Sequence, residues 1–504
     1  MQLLFRILLN IFKYIYFKYI YIKNIYMIKL YLLFFAFIYI NNFYNNYNIF
    51  YIQIFLFLFF FKLICIKIFN RFMKNLSRQK KNDFSIEKKF NTKTNIDFSI
   101  NSSNPYITED KFTKHILTTY DAIATRNEYI YRIKYFDNFL LKYLNDKRDI
   151  VTAWLFINII TIVLPLIFLN LYFSSVLPYL CAPLTFFFNM LTFSDRFILG
   201  LHYSSHKPIW KGFASFMNNI PSVIIAPFFG LPSGSYWTHH ILMHHRQNNE
   251  VGYDLSSTEP FQRDNFIHFI KYWLKFIICI WFELPIYAFK YGQNFRNSWK
   301  SFINCGTFIC IRVFFSSILH LYIIYLSVKH FTWTGTWLIA MPLIISSFFL
   351  MFGNWCQHIF IDPERPWNNF ALSYTCMNNP SQQRSFNDGY HINHHISPLC
   401  HWADLPADFE RCAKRFEEEE AFCFSGIDNF SIGINVFLGN FNKLSEHMIN
   451  PCTGKPWKID INGNIDIIAC TTELKRRLKP VSSSIQRPFP NHRGIKLNDQ
   501  NYYR

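Results

Sequence analysis

Charged residues are scarce in this chain of 504 residues. They make up 16% of it, against 51% hydrophobic and 20% aromatic residues. A soluble globular domain carries about 25% charge, so an ordinary water-soluble protein is excluded. Paired cysteines are lacking too. The twelve cysteines are scattered, several within apolar blocks (Cys181, Cys279, Cys305, Cys310), and no two form a CxxC. Neither a disulfide framework nor a cysteine zinc site is suggested, and a reduced, cytosol-facing working surface fits better. Acidic residues are outnumbered, 32 against 51 Lys plus Arg, for a formal net charge of +19. Such an excess invites a nucleic-acid partner. The basic residues, however, mostly flank apolar blocks instead of forming a compact basic domain, so no nucleic acid is expected. Positive charge beside a span marks its cytoplasmic side.

What the sequence does have is apolar blocks. Residues 1–70 are a hydrophobic, low-complexity, membrane-associating extension. Segments 26–40 and 49–69 supply one or two candidate spans, and low-complexity sequence without a specific role describes them equally well. Residues 71–149 turn basic and polar and read as a cytosolic linker, with an amphipathic stretch at 129–144. Residues 150–425 form the main membrane domain. Within it, the apolar blocks 151–173 and 176–193 predict one transmembrane helical hairpin, and 313–328 with 334–352 predict a second. Two shorter apolar pieces, 220–231 and 269–289, are placed in the interface or the interior. Residues 426–504 read as a polar cytosolic tail. The expected fold is all-α and polytopic, with both hairpins returning to one side. That leaves 194–300 and 354–504 on the same face, as a cytosolic cap.

The 17 histidines concentrate in four places: His202 and His206; His240, His244 and His245, preceded by His239; His358, four residues after Asn354; and His391, His394 and His395. On a helix, spacings of three and four put side chains on one face, so each cluster presents its imidazoles together just outside the membrane. Neutral imidazole ligates Fe, Zn, Cu or Ni. A structural zinc site closes at four ligands and usually includes Cys. Nine imidazoles therefore suit two ions. No carboxylate repeat of the soluble di-iron bundle type accompanies them. Isolated histidines (His115, His268, His330, His447, His492) are packing or surface residues. His320 lies inside a span, and His239 is a spare beside His240.

At these residues the sequence resembles the membrane fatty acid desaturase superfamily. That family carries HxxxH or HxxxxH, then HxxHH or HxxxHH, then HxxHH after a second hairpin, and its acyl-CoA branch adds NxxxH. His202/His206, His240/His244/His245, Asn354/His358 and His391/His394/His395 match in order. The run from Ile396 through His401 to Pro406 looks like the family's HHxxP continuation, and the resemblance covers about 150–410. It implies two non-haem Fe ions as cofactor, with these nine His as ligands and Asn354 reaching the metal through water. It also implies O2 as co-substrate, an acyl-CoA or acyl-lipid substrate, and an endoplasmic reticulum membrane location with the site facing the cytosol. No HPGG-type haem motif is present, so cytochrome b5 and its reductase are the expected electron donors.

Desaturation of an unactivated CH2 pair needs metal-activated O2 and a bent tunnel that positions the chain. Trp210, Trp237 and Trp355 are candidates to line that tunnel, or simply to pack at the interface. Asp254, Asp362 and Asp388 are candidate hydrogen-bond acceptors behind the ligands. A hydroxylase of the same di-iron chemistry is the nearest rival, because box spacing does not separate the two. A non-enzymatic receptor has no use for nine clustered imidazoles, and a metal transporter would place them inside spans.

Overall fold

Among the described residues of the computed structural model, three helices are long and apolar enough to cross a membrane: Lys147–Tyr172, Gly212–Phe229 and the run Gly306–Gln357. The structure describes residues 130–292 and 305–487. The expected extension 1–70, most of the linker 71–149, and His115 and His492 fall outside those residues.

The amphipathic stretch forms α1 (Lys134–Tyr143). Asp146 then accepts the Arg148 N–H at 2.9 Å and opens α2 (Lys147–Tyr172), whose 26 residues span about 39 Å. The partner expected at 176–193 starts later and runs further. It forms α3 (Cys181–Asn189), a wide turn at Met190–Ser194, and α4 (Asp195–His206). The first histidine pair is thus carried on the continuation of the apolar helix α3. Asn170 Nδ2 donates to Thr185 Oγ1 at 3.1 Å, tying α2 to α3.

Segment 220–231 lies mostly within α5 (Gly212–Phe229), which ends at Gly230 in a left-handed turn, φ +76°. A Cβ at Gly230 would collide with the Pro342 carbonyl, so this close crossing requires glycine. Segment 269–289 lies within α6 (Phe266–Tyr291), capped by Asn265, whose Oδ1 accepts the Ile267 and His268 N–H groups. The second predicted hairpin is α7 (Gly306–Gly335) followed by α8 (Met341–Gln357). Thr332 sits at φ 42°, and Gly335 packs against the Ser327 carbonyl. The chain therefore turns sharply at Thr332, within the last turn of α7 and ahead of α8.

The expected all-α class needs one correction. The fold is mostly helical, yet β1 (Tyr374–Met377) pairs in parallel with β2 (Phe422–Ser425). Both are short, buried runs of aromatic and small residues, which suit a pleated surface. The crossover between them carries α9 (His391–Ile396) and α10 (Leu405–Glu418). The strand pair thereby fixes where the last histidine cluster sits: the Cys376 N–H donates to the Gly389 carbonyl at 2.8 Å, just ahead of α9.

Beyond 425 the chain keeps packing on the same body. α11 (Asn429–Phe437), α12 (Phe441–His447) and α13 (Ile467–Arg476) follow. Ile432, Val436, Leu444 and Leu474 join the core around Trp355 and Phe360.

Candidate metal centre

All nine histidines converge, and they divide into two groups. His202, His206, His240, His245 and His394 form one; His244, His358, His391 and His395 form the other. Within each group the candidate ligand atoms lie within 4.8 Å of one another. In the first, His202 Nε2 is 2.6 Å from His394 Nε2, His394 Nε2 is 2.9 Å from His245 Nε2, and His240 Nε2 is 3.0 Å from His206 and 3.1 Å from His245. In the second, His391 Nε2 is 3.2 Å from His358 Nε2 and 3.1 Å from His395 Nε2. Two nitrogens bound at right angles about 2.1 Å from one ion are about 3 Å apart. The imidazoles therefore already have the separations of ligands sharing a metal.

The grouping cuts across the sequence boxes. Residues Thr238–His244 are wound wider than an α-helix, and the His245 N–H bonds the His240 carbonyl, five residues back. Residues five apart are then brought into register. His240 and His245 join one group, and His244 turns to the other. In α9 the i, i+4 pair His391 and His395 stays together, and His394 faces the first group. The expectation that each box presents its histidines as one unit is corrected accordingly. His202 and His206, four apart on α4, do stay together.

Eight of the nine are buried, with His206 partly exposed. Burial is the main cause that holds His206 and His358 near a pKa of about 3. Burial and then neighbouring imidazoles hold His202, His240, His245, His391, His394 and His395 well below the ordinary value. These eight imidazoles are thus neutral, the form that ligates a metal.

Acceptors behind the ligands fix which nitrogen faces inward. His244 Nδ1 lies 2.7 Å from Asp254 Oδ2. His358 Nδ1 lies 3.0 Å from the Leu372 carbonyl, and His395 Nδ1 is 3.0 Å from Asn248 Oδ1. Asp254 accepts further bonds from the Ser256 N–H and Oγ. Burial alone would raise its carboxyl, but His244 and these bonds bring it below the usual range. Asp388 Oδ1 approaches His202 Nδ1 at 3.7 Å and burial raises its carboxyl to about 7; Gln357 Nε2 donates to its other oxygen at 2.7 Å. Asp362 plays no such part: its carboxylate is engaged by Arg365 and Arg476. Asn248 was not anticipated, and nothing in the sequence around it signals the role.

Asn354 Nδ2 donates to the Ser256 carbonyl at 3.1 Å and to Tyr272 Oη at 2.7 Å. Any contact with a metal-bound water therefore falls to its Oδ1. His239 is buried outside both groups, edge-on to Phe276. His320 lies within α7, His268 Nδ1 accepts from the Gln262 N–H, and His447 Nδ1 bonds the Ser425 carbonyl. Trp355 is buried among Phe261, Phe269, Tyr272 and Phe437, a packing role. Trp210 is likewise buried, its backbone bracketed by Asn218.

The donor set could hold metal: nitrogen ligands only, converging on two points, with His244, His358 and His395 backed by acceptors. A family model described as fatty acid desaturase matches residues 178–426, which include all nine histidines. Through these residues the chain belongs to the fatty acid desaturase superfamily. It is an oxidoreductase of that kind and a membrane protein. No match was found among curated proteins or among solved structures.

Proposed function

We propose that the chain is a lipid acyl desaturase. Its metal centre is two Fe ions, one held by His202, His206, His240, His245 and His394, the other by His244, His358, His391 and His395. The convergence of nine imidazoles on two points carries this reading. The bound iron pair would supply O2 activation. In the overall reaction one O2, two electrons and two protons, with two vicinal hydrogens of the acyl chain, yield a C=C bond and two waters. Cytochrome b5 and its reductase supply the electrons, and the substrate is an acyl-CoA or acyl lipid. The site faces the cytosol at the endoplasmic reticulum membrane.

The chain's own residues orient and shield. Asp254, the Leu372 carbonyl and Asn248 accept from the Nδ1–H groups of His244, His358 and His395, which turns each Nε2 toward the centre. Tyr203, stacked 4.7 Å from His202, and Tyr236, 5.4 Å from His240, wall the first group against water.

Lipid profiling of cells with and without the chain tests the reading. A lipid lighter by about two mass units, absent with the His394→Ala variant, is the expected product; a gain of about sixteen would make the enzyme a hydroxylase. Unchanged lipids across acyl-CoA, phospholipid and sphingolipid pools would defeat both.

A further inference from the structure

The short helix α11 (Asn429–Phe437) follows the family-matched segment, which ends at 426. Asp428 caps it, accepting from the Ser431 N–H and Oγ at 2.8 Å each. One face is buried through Ile432, Gly433 and Val436. The approach to α8 is close enough that a Cβ at Gly433 would collide with Cys356 Sγ. The other face is unusual. From Asn429 to Leu438 the exposed residues are Phe430, Ile434 and Leu438, at 42, 50 and 68%. Their spacing of four is a single helical stripe, and it holds no charge.

In water such a stripe would be an unshielded apolar patch. It is continuous with surface that a bilayer must cover. Phe430 packs edge-on against Phe352 of α8, with ring centroids 5.3 Å apart, and Phe349, one turn earlier on α8, is itself exposed. Phe437 packs edge-on against Phe266 at 5.5 Å, and Phe266 and Ile267 open α6 as exposed residues. α6 continues that stripe through Leu274, Ile278, Phe282, Ile286 and Phe289. The contact with Cys356 lies two residues before His358, so α11 sits at the end of α8 where the metal centre begins.

We propose that α11 is an interfacial membrane anchor, lying along the bilayer surface with Phe430, Ile434 and Leu438 in the boundary between headgroups and acyl chains. Its occupant is lipid, because the stripe adjoins the exposed apolar surface of α8, part of a run long and apolar enough to cross a membrane, and that of α6. The residues past 426, which the sequence marks as a polar tail, then fix how deep the histidine clusters sit relative to the acyl chains they act on. The inference rests on α8 crossing the membrane.

The test uses the full chain in nanodiscs of phosphatidylcholine with one-fifth phosphatidylserine. A diazirine-bearing amino acid is placed in turn at 434, at 438, at 349 on α8, and at 414, whose side chain is 86% exposed on α10. After irradiation, lipid adducts are read by mass spectrometry. Yields at 434 and 438 within about twofold of that at 349, and at least about tenfold above 414, are expected for an interfacial helix. Adducts at 349 but not at 434 or 438 would overturn the anchor and leave the spanning helix intact. Adducts to a second copy of the chain at 434 would also overturn it. Absence at 349 would remove the membrane-crossing premise, and the anchor with it.

Discussion

His244 Nδ1 lies 2.7 Å from Asp254 Oδ2, and both side chains are almost fully buried. The carboxylate fixes the tautomer of one ligand in the four-histidine group and raises its basicity. Asp254→Asn keeps the shape but replaces the acceptor with an amide. Iron affinity is expected to fall about 10–100-fold, measured by competition with a chelator, while membrane insertion is unchanged. An affinity equal to wild type would show that the pair does not act on the metal.

Asn354 reaches that same network from α8, through the Ser256 carbonyl and Tyr272 Oη. Asn354→Ala should keep most of the iron and lose turnover about 10–100-fold. Tyr272→Phe removes one hydrogen-bond partner and leaves Asn354 Oδ1 in place, so it should cost less than Asn354→Ala. Equal losses in both would assign Asn354 to holding the network; full activity in both would make the cluster structural.

Asp362 links the segment after His358 to α13, accepting from Arg476 Nη1 at 2.8 Å. Burial raises its carboxyl, but the Arg476 bond prevails and brings it to about 2, from an ordinary 3.8. The unfolded chain therefore binds more protons between those values, so this stabilisation is present above about pH 3.8 and is lost as pH falls toward 2. Asp362→Asn should lower thermal stability at pH 7 and flatten the acid dependence in that window. An acid profile parallel to wild type, followed by circular dichroism in detergent, would speak against the pair.

Both histidine-bearing halves must share one side of the membrane. Protease sites inserted in 246–265 and after 410 should be cleaved from the cytosolic face of sealed microsomes in the same proportion. Cleavage of one site only after the membrane is opened would separate the clusters and end the enzyme reading.

The boxes themselves were legible because imidazoles at spacings of three to five have few structural reasons to recur, and apolar blocks of about 20 residues announce themselves. The partition between the two groups was not. It depends on the wider winding at Thr238–His244, which moves His244 away from His240 and His245, and five-residue winding leaves no mark in residue identity. Asn248 and the Leu372 carbonyl back ligands 147 and 14 residues away, and such long-range partners have no local signature. The β1–β2 pair was hidden for the same reason: each strand is four residues long. Asp362 was misplaced because proximity in sequence to His358 stood in for proximity in space.

The central claim is that nine histidines hold two irons, five on one and four on the other. The iron-to-chain ratio of the purified, anaerobically loaded protein tests it most directly, by plasma mass spectrometry against amino-acid analysis. Wild type is predicted at about two, and His394→Ala and His391→Ala, one from each group, at about one each, since each removes a ligand from a different ion. A wild-type ratio of one or less, or two variants that both retain two irons, would contradict the account.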